Sequence, residues 1–95
     1  MKGTLRLPLG VLAAEKRDIT QFVVSKTRPT KEFNTPIREL FSAYRSWRFH
    51  TRRGNSLLSV DGFGRLFPKN FKRASVYHAP LKNTIKCVIG LEVKG

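Results

Sequence analysis

The chain has 95 residues, and 19 lysines and arginines against 6 acidic residues give it a formal net charge of +13. A chain of this length can bury one modest core, which excludes a multidomain enzyme with a large catalytic pocket. The excess of positive charge favours a polyanionic partner, with nucleic acid ranked before an anionic membrane surface.

The cysteine count and the N-terminus limit the compartment and the cofactors. Cys87 is the only cysteine, which excludes an internal disulfide and a cysteine zinc cluster, and its apolar surroundings predict a buried, inert thiol. The N-terminal apolar patch is short and is broken by Pro8 and Gly10, and no stretch approaches the ~20 apolar residues of a membrane span. We therefore expect a cytoplasmic protein with no cofactor, no metal and no membrane contact.

The N-terminal third is predicted to be extended and then helical. Apolar residues alternate with period two over residues 1–12, an extended segment that can add an N-terminal strand. Residues 13–26 place apolar side chains on one helical face, at Ala14, Ile19, Phe22 and Val23. The polar segment "TRPTKEFNT", residues 27–35, predicts a connection outside regular structure. Residues 13–95 are expected to form a single domain.

The next segment, "TPIRELFSAYRSWRFHTRRG", predicts the clearest helix. Thr35 is suited to the N-cap, Pro36 to the first helical position and Gly54 to the stop. The spacing i, i+3, i+4, i+7 predicts a buried face made of Ile37, Leu40, Phe41, Tyr44 and Trp47.

Arginines of the same helix form a second pattern. At 100° per residue, Arg38, Arg45, Arg48 and Arg52 fall within roughly 80° of one another. A solvated face normally mixes charges of both signs, whereas this stripe contains no acidic residue. The pattern indicates a row of contacts to a phosphate backbone.

A short helix is predicted after Ser59, which can cap it, with Pro68 ending it. Its motif "DGFGRL" is not a dinucleotide-binding loop, because position 67 is Phe and no strand precedes it. Gly64 is instead expected to allow close packing on the preceding helix, and Gly62 to allow the close approach of a polymer backbone.

The C-terminal part, residues 71–94, predicts a β-hairpin whose tip at residues 78–83 carries Lys82. Two helices joined by a turn and followed by a basic hairpin are typical of a helix-turn-helix with a wing. The predicted fold class is thus α+β, a winged helix-turn-helix of about three helices followed by a hairpin.

Three segments in this order resemble the winged-helix domain that ends many phage, plasmid and poxvirus-type primase-helicases. They are "ELFSAYRSW" (39–47), "LSVDGFGRLF" (58–67) and "IGLEVK" (89–94), and the resemblance covers about residues 18–94. Two positions depart from the family pattern: Phe67 replaces an aliphatic Leu, and Arg48 replaces the cysteine common after the Trp. The resemblance implies a standalone DNA-contacting domain of phage or mobile-element origin that serves replication or transcription regulation.

We therefore predict a small basic winged-helix protein that binds nucleic acid, with double-stranded DNA as the expected partner, and that is not an enzyme. Two alternatives stay open: RNA or ribosome binding, and an adaptor that binds an acidic host protein. The pattern does not determine the oligomeric state. The predicted DNA-binding residues are Arg38, Arg45, Arg48, Arg52, Arg53, Ser59, Asp61, Gly62, Arg65, Lys69, Lys72, Arg73 and Lys82.

Overall fold

The computed structural model describes residues 8–78 and 82–94, apart from the side chains of residues 32, 33 and 78. Its elements, in chain order, are α1 Leu9–Lys26, β1 Thr27–Pro36, α2 Ile37–His50, α3 Val60–Leu66, β2 Arg73–His78 and β3 Asn83–Val93. The predicted α+β class is confirmed. No helix in the described part of the chain is long and apolar enough to cross a membrane.

The three strands form one antiparallel sheet in the order β1-β3-β2. Strands β2 and β3 make the predicted hairpin, which pairs from Arg73 opposite Val88 to His78 opposite Asn83. The predicted tip falls partly on residues 79–81, which lie outside the described residues.

Strand β1 corrects the prediction of an irregular connection over residues 27–35. It pairs with β3 near both ends, and the register shifts between Pro29 and Asn34. At the edge of a sheet a proline is tolerated, because its missing N–H is not needed on the outer side. Residues 27–35 show no hydrophobic period. What makes this segment a strand is backbone pairing with β3, which lies far away in the sequence.

Helix α1 begins at Leu9, so the predicted extended segment is wrong over residues 9–12, while residues 1–7 lie outside the described part. Leu12 and the buried Ile19 are seven positions apart and therefore lie on the same helical face. Packing of this face on the core therefore stabilises residues 9–12 as a helix instead of an extended segment.

The core joins all three helices to the sheet. The residues that form the buried cluster are Ile19, Phe22, Ile37, Leu40, Tyr44, Trp47, Leu58, Phe63, Phe67, Val88 and Leu91. They include most of the predicted apolar faces; Val23 and Phe41 are partly buried against the cluster, and Ala14 is not part of it. The Tyr44 ring is central, with its centroid 5.7 Å from that of Phe22 and 5.3 Å from that of Phe63.

Both ends of α2 differ from the prediction. Thr35 does not cap the helix: it lies in β1 and its hydroxyl donates to the Leu91 carbonyl at 2.5 Å, so the N-cap is Pro36. The helix ends at His50, and Arg52 follows it in the left-handed region with φ of 61°. Arg52 is therefore outside the helix on which its place in the arginine stripe depended.

Helix α3 agrees with the prediction. The Ser59 side chain accepts a hydrogen bond from the Gly62 amide at 3.1 Å, so the predicted cap is confirmed. Phe63 points into the core, and the helix ends before Pro68.

A buried carboxylate connects α1, α2 and the segment that leads into α3. Glu15 of α1 is 3% exposed. Its carboxylate accepts hydrogen bonds from the Tyr44 hydroxyl at 2.7 Å, the Ser56 hydroxyl at 2.7 Å and the Leu57 amide at 2.9 Å. A buried carboxylate needs such donors, so these contacts place the segment before α3 against both longer helices.

Arg48 is part of this buried network, which corrects its assignment to a phosphate-contacting stripe. Its guanidinium donates to Asp18 at 2.7 Å and to the Tyr44 hydroxyl at 3.2 Å, and it lies 3.6 Å from Glu15. It also donates to the carbonyls of Gly54 and Arg53. Burial alone lowers the pKa of Arg48, but the hydroxyl and the two carboxylates outweigh burial and raise it. The stripe itself contains no acidic residue, but Glu15 and Asp18 of α1 form ion pairs with Arg48.

Two glycines differ in how much room they have. A Cβ on Gly90, where φ is +77°, would lie 3.2 Å from the Thr30 carbonyl oxygen. A Cβ on Gly64 would lie 3.8 Å from Ile37 Cγ2, which is ordinary contact. Gly64 thus faces the first turn of α2, the preceding helix on which it was expected to pack, but this contact does not require glycine.

We expect Arg48→Ala to lower the free energy of unfolding by about 3 kcal/mol, because it leaves the buried carboxylate of Glu15 without its cation. The matched control is Arg45→Ala, which removes the same side chain from an exposed position of the same helix. Urea unfolding followed by circular dichroism measures both. Equal stability of the two variants would contradict the network.

We expect Tyr44 to make stability fall at alkaline pH. Burial first, and then the hydrogen bond to Glu15, raise the pKa of Tyr44 above its usual value of 10.0. Above pH 10.0 the unfolded chain loses this proton while the folded chain keeps it, so the contribution of Tyr44 to stability is full below that pH and is lost as pH rises.

Urea titrations between about pH 8 and pH 11.5 check this expectation, since Tyr44→Phe removes the dependence due to this residue. Tyr77→Phe, at the exposed tyrosine, is the control. Identical pH profiles for the parent and Tyr44→Phe would contradict the assignment.

We expect Gly64→Ala to stabilise the fold by about 1 kcal/mol, because alanine is the better helix former and its methyl group has room. Gly90→Ala should destabilise it by about 1–3 kcal/mol through the positive φ and the close carbonyl. Thermal unfolding of both variants gives the sign of each stability change. A change of the same sign in both variants would contradict this packing.

Candidate nucleic-acid interface

A groove of about 680 Å³ lies between α2, α3 and the hairpin. The first turn of α2 forms one wall, one side of α3 forms the second, and residues 83–86 of the hairpin form the third. The core residue Phe63 holds α3 against α2, with ring centroids 5.2 Å from Phe41 and 5.3 Å from Tyr44. The buried faces of these elements therefore determine which of their side chains reach the groove.

The groove is basic. Five basic side chains line it, Arg38, Arg65, Lys69, Arg73 and Lys86, against the two carboxylates of Glu39 and Asp61. Among the described residues, none of these seven side chains takes part in an ion pair. Because five cations against two carboxylates leave an excess of positive charge among the described lining residues, the groove is suited to an anionic ligand.

Arg73 is the best anchored of the five cations. Its Nη2 donates to the Phe67 carbonyl at 3.3 Å, and its guanidinium lies 5.8 Å from the centroid of the Phe67 ring. The contact links the first residue of β2 to the end of α3. These contacts restrict the conformation of the Arg73 side chain, and the other N–H groups of its guanidinium remain as donors for a ligand.

Of the predicted DNA-binding residues, the structure brings together Arg38, Asp61, Arg65, Lys69 and Arg73 in the groove. Asp61 lies in the first turn of α3, as predicted, where the helix dipole favours a carboxylate.

The other predicted arginines, three of the stripe and Arg53 beside it, lie elsewhere. Arg45 is exposed on α2, with its guanidinium 5.6 Å from the centroid of the Phe41 ring. Arg53 binds Asp18 at 3.3 Å and lies 4.5 Å from the centroid of the Trp47 ring, so it belongs to the α1–α2 contact. With Arg48 buried and Arg52 in the turn, only Arg38 of this set lines the groove.

Four further predicted residues do not line the groove. Ser59 is engaged in capping, and a Cβ on Gly62 would point back to Leu58 and Ser59 instead of toward the groove. Lys72 and Lys82 are exposed at the base and at the tip of the hairpin.

The prediction missed Lys86, together with the polar residues Asn83 and Thr84 on the same strand. Lys86 lies between Ile85 and Cys87 in the alternating segment of β3. A position between two apolar residues of a strand indicates a side chain on the opposite face, but only the packing of the sheet shows that the Lys86 side chain lines the groove.

Cys87 is buried, as predicted. Burial raises the pKa of its thiol, and the negative charge of Glu39 raises it further, so the thiol is held in its protonated and unreactive form. Within the described residues, no group of three or more His, Cys, Asp or Glu side chains could hold a metal ion.

Comparison of the chain with protein-family models, curated proteins and solved structures finds no match. The resemblance to the primase-helicase domain therefore stays a prediction from the three sequence segments.

Proposed function

We propose that the protein is a winged-helix protein that binds double-stranded DNA in the groove between α3 and the hairpin. The observation that carries this proposal is the set of five basic side chains in the groove, none of which forms an ion pair with another residue that the structure describes. The proposal is for a binding role and not a catalytic one.

The order of the elements supports the winged-helix assignment. The chain runs through a helix, a strand, two helices and a hairpin, and the strand after the first helix joins the sheet beside the last strand. This order is compatible with a helix-turn-helix with a wing, a motif in which the second helix faces the DNA major groove. By this assignment α3 is the recognition helix and β2 and β3 are the wing.

The charge pattern supports a phosphate backbone as the ligand. The cations come from three elements, with Arg38 on α2, Arg65 on α3 and Lys86 on the wing. Cations spread along a groove follow a polyanion better than a single small anion, because successive phosphates can each meet one of them. In this proposal Arg65 reaches a phosphate or a guanine edge from α3.

We expect Arg65→Glu to weaken binding to a short DNA duplex roughly tenfold or more, since it replaces a contacting cation with a repelling anion. The matched control is Arg17→Glu, which makes the same charge change at an exposed position of α1, a helix that contributes nothing to the groove. Fluorescence anisotropy with a labelled duplex gives both affinities. If the two substitutions weaken binding equally, net charge and not the groove determines affinity.

The same titration, repeated between about 50 and 200 mM salt, counts the contacts. Five groove cations predict a slope of log K against log salt of about −4.5. Parallel titrations with duplex RNA and with single-stranded DNA separate the alternatives, because the deep and narrow major groove of A-form RNA does not admit a helix. Tighter binding to duplex RNA than to duplex DNA would overturn the DNA proposal.

A further inference from the structure

Tyr77 is an exposed aromatic residue next to the groove. Its side chain is 63% exposed and makes no hydrogen bond, ion pair or ring contact with any described residue. In the hairpin register it lies directly opposite Thr84, which lines the groove. Directly opposed residues project from the same face of a hairpin, so the Tyr77 ring extends the groove toward the tip.

Two lysines lie on either side of this ring along the hairpin. Lys86 lines the groove and is the diagonal cross-strand neighbour of Tyr77, while Lys82 lies just beyond the paired part of β3. A ring with a cation on each side meets both chemical demands of a nucleotide, since the ring can stack on a base and the cations can pair with the adjoining phosphates.

A second exposed aromatic residue lacks these neighbours. Phe49 is 70% exposed, but it lies near the C-terminal end of α2, whereas the first turn of that helix lines the groove. At 1.5 Å per residue the two ends are roughly 18 Å apart. The two aromatic side chains are therefore similarly exposed, but of the two only Tyr77 lies next to the basic groove.

We propose that Tyr77 is a stacking platform for an unpaired base, so that the site takes DNA in which a duplex meets a single strand. This inference rests on the proposed function, because the duplex part would occupy the groove. Bases inside a duplex are already stacked on their neighbours and offer no free face to a ring beside the groove. An unpaired base at the end of the duplex does offer one, and stacking on an aromatic ring tolerates any base.

The experiment compares a blunt DNA duplex, the same duplex with a short single-stranded tail, and the tail alone, each by fluorescence anisotropy. We expect the parent to bind the tailed duplex roughly fivefold or more tightly than the blunt one. Tyr77→Ala should remove this preference and leave affinity for the blunt duplex within about twofold, whereas Tyr77→Phe should keep it. Phe49→Ala is the control for loss of an exposed aromatic ring, and its tail preference should equal that of the parent.

A 2-aminopurine base in the tail reports stacking directly, because its fluorescence is quenched on the ring in the parent and not in Tyr77→Ala. Equal affinity of the parent for blunt and tailed duplexes overturns the inference and leaves the proposed function intact. An equal loss on both duplexes in Tyr77→Ala also overturns it. If the chain binds no duplex but binds the tail alone through Tyr77, the proposed function fails and the stacking role stands. If nothing binds, both fail.

Discussion

The carboxylate of Glu15 is the group on which the arrangement of the helices depends. It is buried in α1 and receives hydrogen bonds from Tyr44 on α2 and from Ser56 and Leu57, in the segment before α3. A buried carboxylate without donors costs several kcal/mol, so each donor must stay in place together with the segment that carries it. The position of α3 relative to α2 follows from this one charged group together with the core beneath it.

This network also determines where the positive charge of the protein remains available. Among the described residues, Glu15 and Asp18 bind Arg48, Asp18 also binds Arg53, and Glu92 binds Arg28 on the sheet. These acids are used to hold elements together and do not neutralise the groove. The groove lining therefore has five basic side chains against two carboxylates, and this excess of positive charge is the physical basis of the proposed binding to a polyanion.

Local sequence patterns correctly predicted the elements that are stabilised by interactions between residues close together in the chain. Helix α3 was predicted from its cap at Ser59 and its stop at Pro68, and the apolar face of α2 from its spacing, because capping bonds and amphipathic periods involve neighbours in the chain. Strand β1 was not predictable in this way. Its polar residues carry no period, and its partner β3 lies at the other end of the sequence. The start of α1 was missed because alternation over a few residues also fits a helix that buries Leu12.

For the candidate site, the anionic partner stays a prediction from composition and charge, while five of the predicted residues do lie together in one groove: Arg38, Asp61, Arg65, Lys69 and Arg73. The angular position of a side chain on an isolated helix does not say which neighbouring helix covers it. Arg48 was therefore assigned to a surface, although α1 places carboxylates against it. Lys86 was missed for the same reason, because it lines the groove only through the packing of the hairpin beside α3. Sequence patterns act between near neighbours, whereas the division of cations between ion pairs and a free groove is settled only when distant segments pack together.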